Sequence, residues 1–132
     1  ILMQMPADSL PSALASFQGA AAADSANGDA LRGAGLSYLL MDNCADALQW
    51  LQRATQVDPD HVQGHIWLAQ GYLKCKRIPD AKAEFNKAID LDPTNAPASQ
   101  GLNLIRKFES QQQQIQQKRA AQSSSPSSGS KP

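Results

Sequence analysis

The sequence predicts an all-α fold: a right-handed α-solenoid of antiparallel helix pairs with a C-terminal capping helix. Two observations carry that prediction. Apolar and small residues return at three- and four-residue intervals, the spacing of one helix face, and no alternating strand pattern of useful length is present. The chain also repeats itself every 34 residues: Asp58-Pro59 recurs as Asp92-Pro93, Tyr38 as Tyr72, and Ala47, Leu51 and Ala54 as Ala81, Phe85 and Ala88. One interval further back stand Ala13, Phe17 and Ala20, with Asp24-Ser25 in place of the Asp-Pro pair. Three copies of one helix are therefore written in the chain.

The elements follow in order. Residues 1–27 form a partial unit that holds only a second helix, over about residues 10–23; its companion would have to include Ile1 to Met5 and residues before them. Repeat one, 28–61, pairs a helix over about 29–41 with one over about 45–56. Repeat two, 62–95, pairs about 62–75 with about 79–91. Pro79 suits the first turn of a helix, where its missing N–H is no loss. Pro59 and Pro93 mark stops, because the residue before a proline is pushed out of the helical region. A capping helix occupies 96–118, with Leu102 and Ile105 facing the preceding pair and glutamines from Gln111 in place of a second helix. The Ser/Pro/Gly-rich residues 119–132 have almost nothing apolar to bury and are expected to be disordered.

The small residues carry a further message. Ala47, Ala54, Ala81 and Ala88 lie where two helix axes come close, with Leu51 and Phe85 filling between them. A lone amphipathic pair has too little core to stand by itself, so neighbouring pairs must stack.

With 132 residues the chain is one module, and its 12 basic and 12 acidic residues leave no net charge. A basic footprint for nucleic acid is absent. Its unbroken apolar stretches are far shorter than the roughly 20 residues that span a bilayer, so no membrane insertion is expected. The opening Ile1-Leu2-Met3-Gln4-Met5 has neither a charged start nor a long apolar centre, and a chain that does not begin with Met reads as a processed or excised product.

No convergent catalytic constellation is written here, and neither enzyme activity nor a cofactor is expected. His61 and His65 are four apart, with Asp58, Asp60 and Cys75 as the nearby further ligands. One His sits at a helix start and the other at a core position, so both read as structural rather than metal-binding. Asp58, Asp60, Asp90 and Asp92 fall at the turns between units and read as helix caps, without the offsets of a calcium loop. The glycines Gly28, Gly33, Gly35, Gly64 and Gly71 follow no strand and adjoin no Lys-Ser or Lys-Thr, so they build no phosphate loop. The serines have no organised His and Asp partners.

The spacing of Leu68, Ala69, Tyr72, Ala81, Phe85, Ala88 and Pro93 resembles the tetratricopeptide pattern W-x2-L-G-x2-Y…A-x3-F…P. Ala34, Gly35, Tyr38, Ala47, Leu51, Ala54 and Pro59 resemble it again in the same register, and the likeness covers about residues 10–108. It departs where the aromatic that opens the first helix is Leu31 in one unit and His65 in the other.

The resemblance implies a protein-protein interaction scaffold that holds a partner peptide or helix in an apolar concave groove lined by the first helix of each unit. With Ala34 and Tyr38 in the core, Arg32, Leu36, Leu39 and Leu40 are expected to face that groove. The next unit offers Gln63, Ile66, Trp67, Gln70, Leu73 and Lys74, and the end helix adds Gln100 and Leu104. Trp67, flanked by Arg32 and Lys74, reads as an anchor with a polar rim. Family members that hold chaperone tails use a clamp of Lys, Arg and Asn on this face. Leu36, Trp67, Pro97 and Gly101 stand on the corresponding surface here, so an extended or helical apolar peptide fits better than a C-terminal carboxylate. Two alternatives stay open. The helix over 96–108 of one molecule stacks on the helix over 10–23 of another, a heterologous contact that propagates; or the chain is the regulatory end of a larger enzyme.

Cys44 begins one second helix and Cys75 ends the next first helix, which brings the two sulfurs toward one edge of the solenoid. Two buried free thiols and a cytoplasmic location are the first expectation. A disulfide is the alternative if the Cα atoms fall within about 7 Å, and it would argue for periplasm or exterior.

Overall fold

The computed structural model describes residues 9–129, and among them every regular element is a helix. Helix α1 spans Ser9–Ala23, α2 Gly28–Leu40, α3 Cys44–Val57, α4 Val62–Lys74, α5 Ile78–Leu91 and α6 Ala96–Gly129. Each helix packs on the next in chain order, while α2 and α4 touch only slightly. The result is the expected open solenoid, with α2–α3 and α4–α5 as successive hairpins.

Side-chain caps fix where the helices begin. The Ala30 N–H donates to Asn27 Oδ1 at 3.1 Å, Gly64 N–H to His61 Nδ1 at 3.0 Å, and Ala98 N–H to Asn95 Oδ1 at 2.9 Å. Helix α5 has no such bond from Arg77; Pro79 instead removes one of the donors that would need satisfying. Of the aspartates expected to cap, Asp58 and Asp92 are the C-cap residues of α3 and α5, and Asp92 Oδ1 accepts from the Thr94 N–H at 3.3 Å and from its hydroxyl at 3.0 Å. Their role is to shape the turn after a helix.

The two hairpin turns are copies of each other. Asp42 (φ 60°) and Lys76 (φ 62°) take the left-handed conformation that reverses the chain, one interval of 34 residues apart.

The core repeats as well. Leu51 and Phe85 are fully buried among the buried Ala47, Ala54, Ala81 and Ala88. Where the second helix carries a Phe, the following first helix opposes it with Gly: Phe17 lies against Gly33 and Phe85 against Gly101. Between them in register comes the pair Leu51 and Trp67, the smaller side chain preceding the larger. Volume is thus traded across successive layers, as dense packing requires. A hydrogen bond also repeats: Gln18 Nε2 donates to the Tyr38 hydroxyl at 3.1 Å, and Gln52 Nε2 to the Tyr72 hydroxyl at 2.9 Å.

Helix α6 buries Ala98 and Ile105 and half-buries Leu102, whereas every side chain from Ser110 to Ser123 is exposed. The expectation that the capping helix closes at 118 and gives way to disorder is corrected, for the backbone is helical through Gly129. Gln, Lys, Arg and Ala are good helix formers, and nothing between Gln111 and Gln122 interrupts them. Residues 1–8 and 130–132 lie outside the described residues, and with them the expected contribution of Ile1 to Met5.

Candidate partner-binding surface

Two rows of residues are spaced by 34: Leu36, Gln70 and Leu104, and Leu40, Lys74 and Phe108. Each row therefore occupies one position on α2, α4 and α6. Leu40 (58%), Leu104 (60%) and Phe108 (43%) are among the most exposed large apolar side chains. Leu36 and Leu73 are half-buried at the edge of the core, Gln63 is half-buried, and Gln70, Lys74 and Gln100 are exposed. Phe108 was not among the residues read from the sequence, although stepping twice along the repeat from Leu40 names it. Ile115, two turns further along α6, is exposed too.

Three residues expected on this face are withdrawn from it. Leu39 (4% exposed) and Ile66 (0%) belong to the core cluster, with Leu39 Cδ2 set against Gly71. Arg32 is buried, donating from Nη2 to Asp29 Oδ1 at 2.6 Å and from Nη1 to Asp58 Oδ2 at 3.5 Å. The physical reason is that α2 and α4 are each gripped by a helix before and a helix after, so more than one flank is covered. Trp67 is half-buried and packs on the core cluster. Its register twins Gly33 and Gly101 lie against the preceding second helix, so the flank of α4 that carries Trp67 is the one turned to α3.

Charge on this face is largely neutralised. Arg32 is paired twice, and Lys74 Nζ donates to Asp42 Oδ1 at 2.7 Å. That hydrogen bond, with the ammonium charge behind it, holds the Asp42 carboxyl below its ordinary value. Lys107, on the exposed side of α6, makes no ion pair among the described residues.

The histidines do structural work. His61 caps α4, and His65 is buried with Nδ1 2.8 Å from Glu84 Oε1 and Nε2 2.6 Å from the Pro59 carbonyl oxygen. Each ring nitrogen thus lies within hydrogen-bond distance of an oxygen, one of a carboxylate and one of a backbone carbonyl, which ties α4 to α5 and to the loop before it. Lys87 Nζ donates to the other Glu84 oxygen at 2.9 Å. Among the described residues no group of three or more His, Cys, Asp or Glu side chains is arranged to hold a metal ion, and no helix is long and apolar enough to cross a membrane.

The expectation of free thiols is corrected. Cys44, the first residue of α3, and Cys75, which caps α4, form a disulfide with a Cα–Cα separation of 5.6 Å. The two turns have the same left-handed build and stack at the same edge, which brings the sulfurs together.

Surface clefts lie along α6. One sits on its outer side beside Asn103 and Arg106, and another is where Phe108 adjoins Ile78 and Pro79.

Stacked hairpins that expose apolar side chains on α2 and α6, with no convergent reactive groups among the described residues, define a helical repeat scaffold. The tetratricopeptide repeat model matches residues 38–105, and the chain belongs to that family. Superkiller protein 3 of Saccharomyces cerevisiae is 34% identical over 89 residues, which is 67% of this chain and 6% of that protein. The chain thus corresponds to a small part of that relative. Among solved structures, the first TPR of Spaghetti (RPAP3) bound to an HSP90 peptide, SRMEEVD, superposes with a TM-score of 0.75 at 16% identity, covering 78% of this chain and 82% of that one. The second TPR domain of human RPAP3, in complex with the HSP70 peptide SGPTIEEVD, gives 0.71 at 21% identity, covering 74% and 81%. MamA gives 0.74 at 18%, covering 82% and 67%. At these identities the likeness is one of fold.

Proposed function

We propose that this chain is a non-catalytic scaffold that holds a neutral, apolar partner segment along the face shared by α2, α4 and α6. The observation that carries the reading is the exposure of Leu40 and Phe108 at equivalent positions of α2 and α6, with Leu104 exposed one turn before Phe108. Exposed apolar side chains brought to one surface mark a contact site. Gln70 and Gln100, exposed beside them, each offer an amide donor and acceptor to a peptide backbone. The peptides named for the structural neighbours, SRMEEVD and SGPTIEEVD, are acidic. Here the Arg32 and Lys74 charges are already matched by Asp29, Asp58 and Asp42, so an acidic tail gains little on α2 and α4.

The test is a calorimetric titration with two probes. One is SRMEEVD; the other is the same heptapeptide with its Glu pair changed to Leu, its Asp to Gln, and its C-terminus amidated. The neutral probe is expected to bind at least about tenfold more tightly, about 1.4 kcal/mol. Leu40→Ser and Leu104→Ser, both at exposed positions, are expected to weaken it with little change in Tm. Tighter binding of the acidic probe, or indifference to both substitutions, contradicts the reading.

The Cys44–Cys75 bond supports an oxidising compartment, periplasm or exterior, in place of the cytoplasm, because cytosolic thiols are kept reduced. Finding the pair reduced in protein taken directly from its native compartment counts against this.

A further inference from the structure

The two hairpins are joined covalently at both edges. The chain itself joins them through residues 58–61, between α3 and α4. At the opposite edge the join is the Cys44–Cys75 disulfide, which links the α2–α3 turn to the α4–α5 turn. The non-covalent ties are unequal. Beside the 58–61 loop, Arg32 holds Asp58 from α2, and His65 holds the Pro59 carbonyl from α4. Beside the disulfide the tie is Lys74 to Asp42, between side chains that are both largely exposed. Such a pair contributes little. The first helices α2 and α4 add only slight contact, with Leu39 against Gly71, and the apolar packing between the hairpins runs from α3 to α4, where Leu48 also lies against Gly71.

We infer that Cys44–Cys75 is a reversible redox site that sets the hinge between the two hairpins. With the bond intact, the 58–61 loop cannot act as a pivot. Both cysteines are only partly buried, at the edge of the fold, where a dithiol reductant can approach. Its thiolate attacks one sulfur, and the mixed disulfide is resolved by its second thiol. Two electrons and two protons pass to the protein, Cys44 and Cys75 are released as thiols, and the reductant becomes a disulfide. The layer built on Leu51, Phe85 and Ile105 is buried, with Cys75 only at its partly buried edge, and stays packed. The turns at 41–43 and 75–77 are then free to part, and the angle between α2 and α4 changes. The inference is independent of which partner the exposed face binds.

The test uses the full chain, oxidised with glutathione disulfide and then reduced with dithiothreitol, with the Cys44→Ser/Cys75→Ser protein alongside. Reduction is expected to add the mass of two hydrogens and leave the far-UV circular dichroism unchanged. Amide exchange should rise by about tenfold or more around 41–48 and 71–78 while α5 keeps its protection. Tm should fall by about 10 °C. Reoxidation restores the first state, and the serine protein behaves as the reduced one. Two titratable thiols after treatment with glutathione disulfide overturn the inference. So does reduction that leaves exchange at both turns unaltered, and so does global unfolding on reduction, which would make the bond a staple of the fold rather than a hinge lock.

Discussion

Gly101 lies so close to the Phe85 ring that a Cβ on it would overlap the ring carbons, and Gly33 stands in the same relation to Phe17. Alanine in a helix gains about 1 kcal/mol over glycine from propensity, but overpacking a tight contact costs about 1–3 kcal/mol. Gly101→Ala is therefore expected to lower stability in urea denaturation, and pairing it with Phe85→Leu to recover part of the loss. Gly19, with nothing within 4 Å of its Cβ position, is the control. Gly19→Ala should raise stability by about 0.5–1 kcal/mol.

His65 joins α4, α5 and the loop between α3 and α4. Removing its side chain leaves the buried Glu84 carboxylate with the exposed Lys87 as its remaining ion-pair partner. His65→Ala is expected to destabilise the protein by about 2–4 kcal/mol. A loss under about 0.5 kcal/mol in urea denaturation would contradict that role.

The Asp42 carboxyl titrates below its ordinary 3.8 because Lys74 donates to it. Its value in the folded state is thus lower than in the unfolded chain. The stability it contributes is present above the unfolded value and is lost as pH falls through the folded one. Carboxyl-carbon NMR should place the Asp42 midpoint below 3.8, and Lys74→Met should raise it.

Helix α6 divides into a packed part and a projecting part. Ile105 is buried against the rest of the fold, so Ile105→Ala is expected to cost about 2–4 kcal/mol. Deleting residues 112–132 removes side chains that are exposed wherever they are described and should cost under about 1 kcal/mol. Comparable losses from the two changes would contradict this division.

The repeat interval made the hairpins legible before any coordinates. Tyr38 and Tyr72, the alanines, and the Leu51 and Phe85 fillers all occupy the places their spacing implies. What it left ambiguous was burial on the first helices, because periodicity reveals an apolar flank without saying which neighbour covers it. On spacing alone Leu39 and Ile66 face outward for that reason. Arg32 shows the same limit with a charge: its register twin is Ile66, a core residue, and the partner Asp58 is 26 residues away. The helix order places Cys44 and Cys75 at one edge, but their 5.6 Å Cα separation is a property of how two turns stack. At α6, composition suggested an early end, whereas local helix propensity carries the backbone on through Gly129.

The most direct measurement is an amide NMR titration of the oxidised chain with the neutral, amidated heptapeptide. Shifts are expected to concentrate around Leu36, Leu40, Gln70, Leu73, Gln100, Leu104 and Phe108. Shifts concentrated on α1, α3 and α5 instead, or none at saturating peptide, would contradict it.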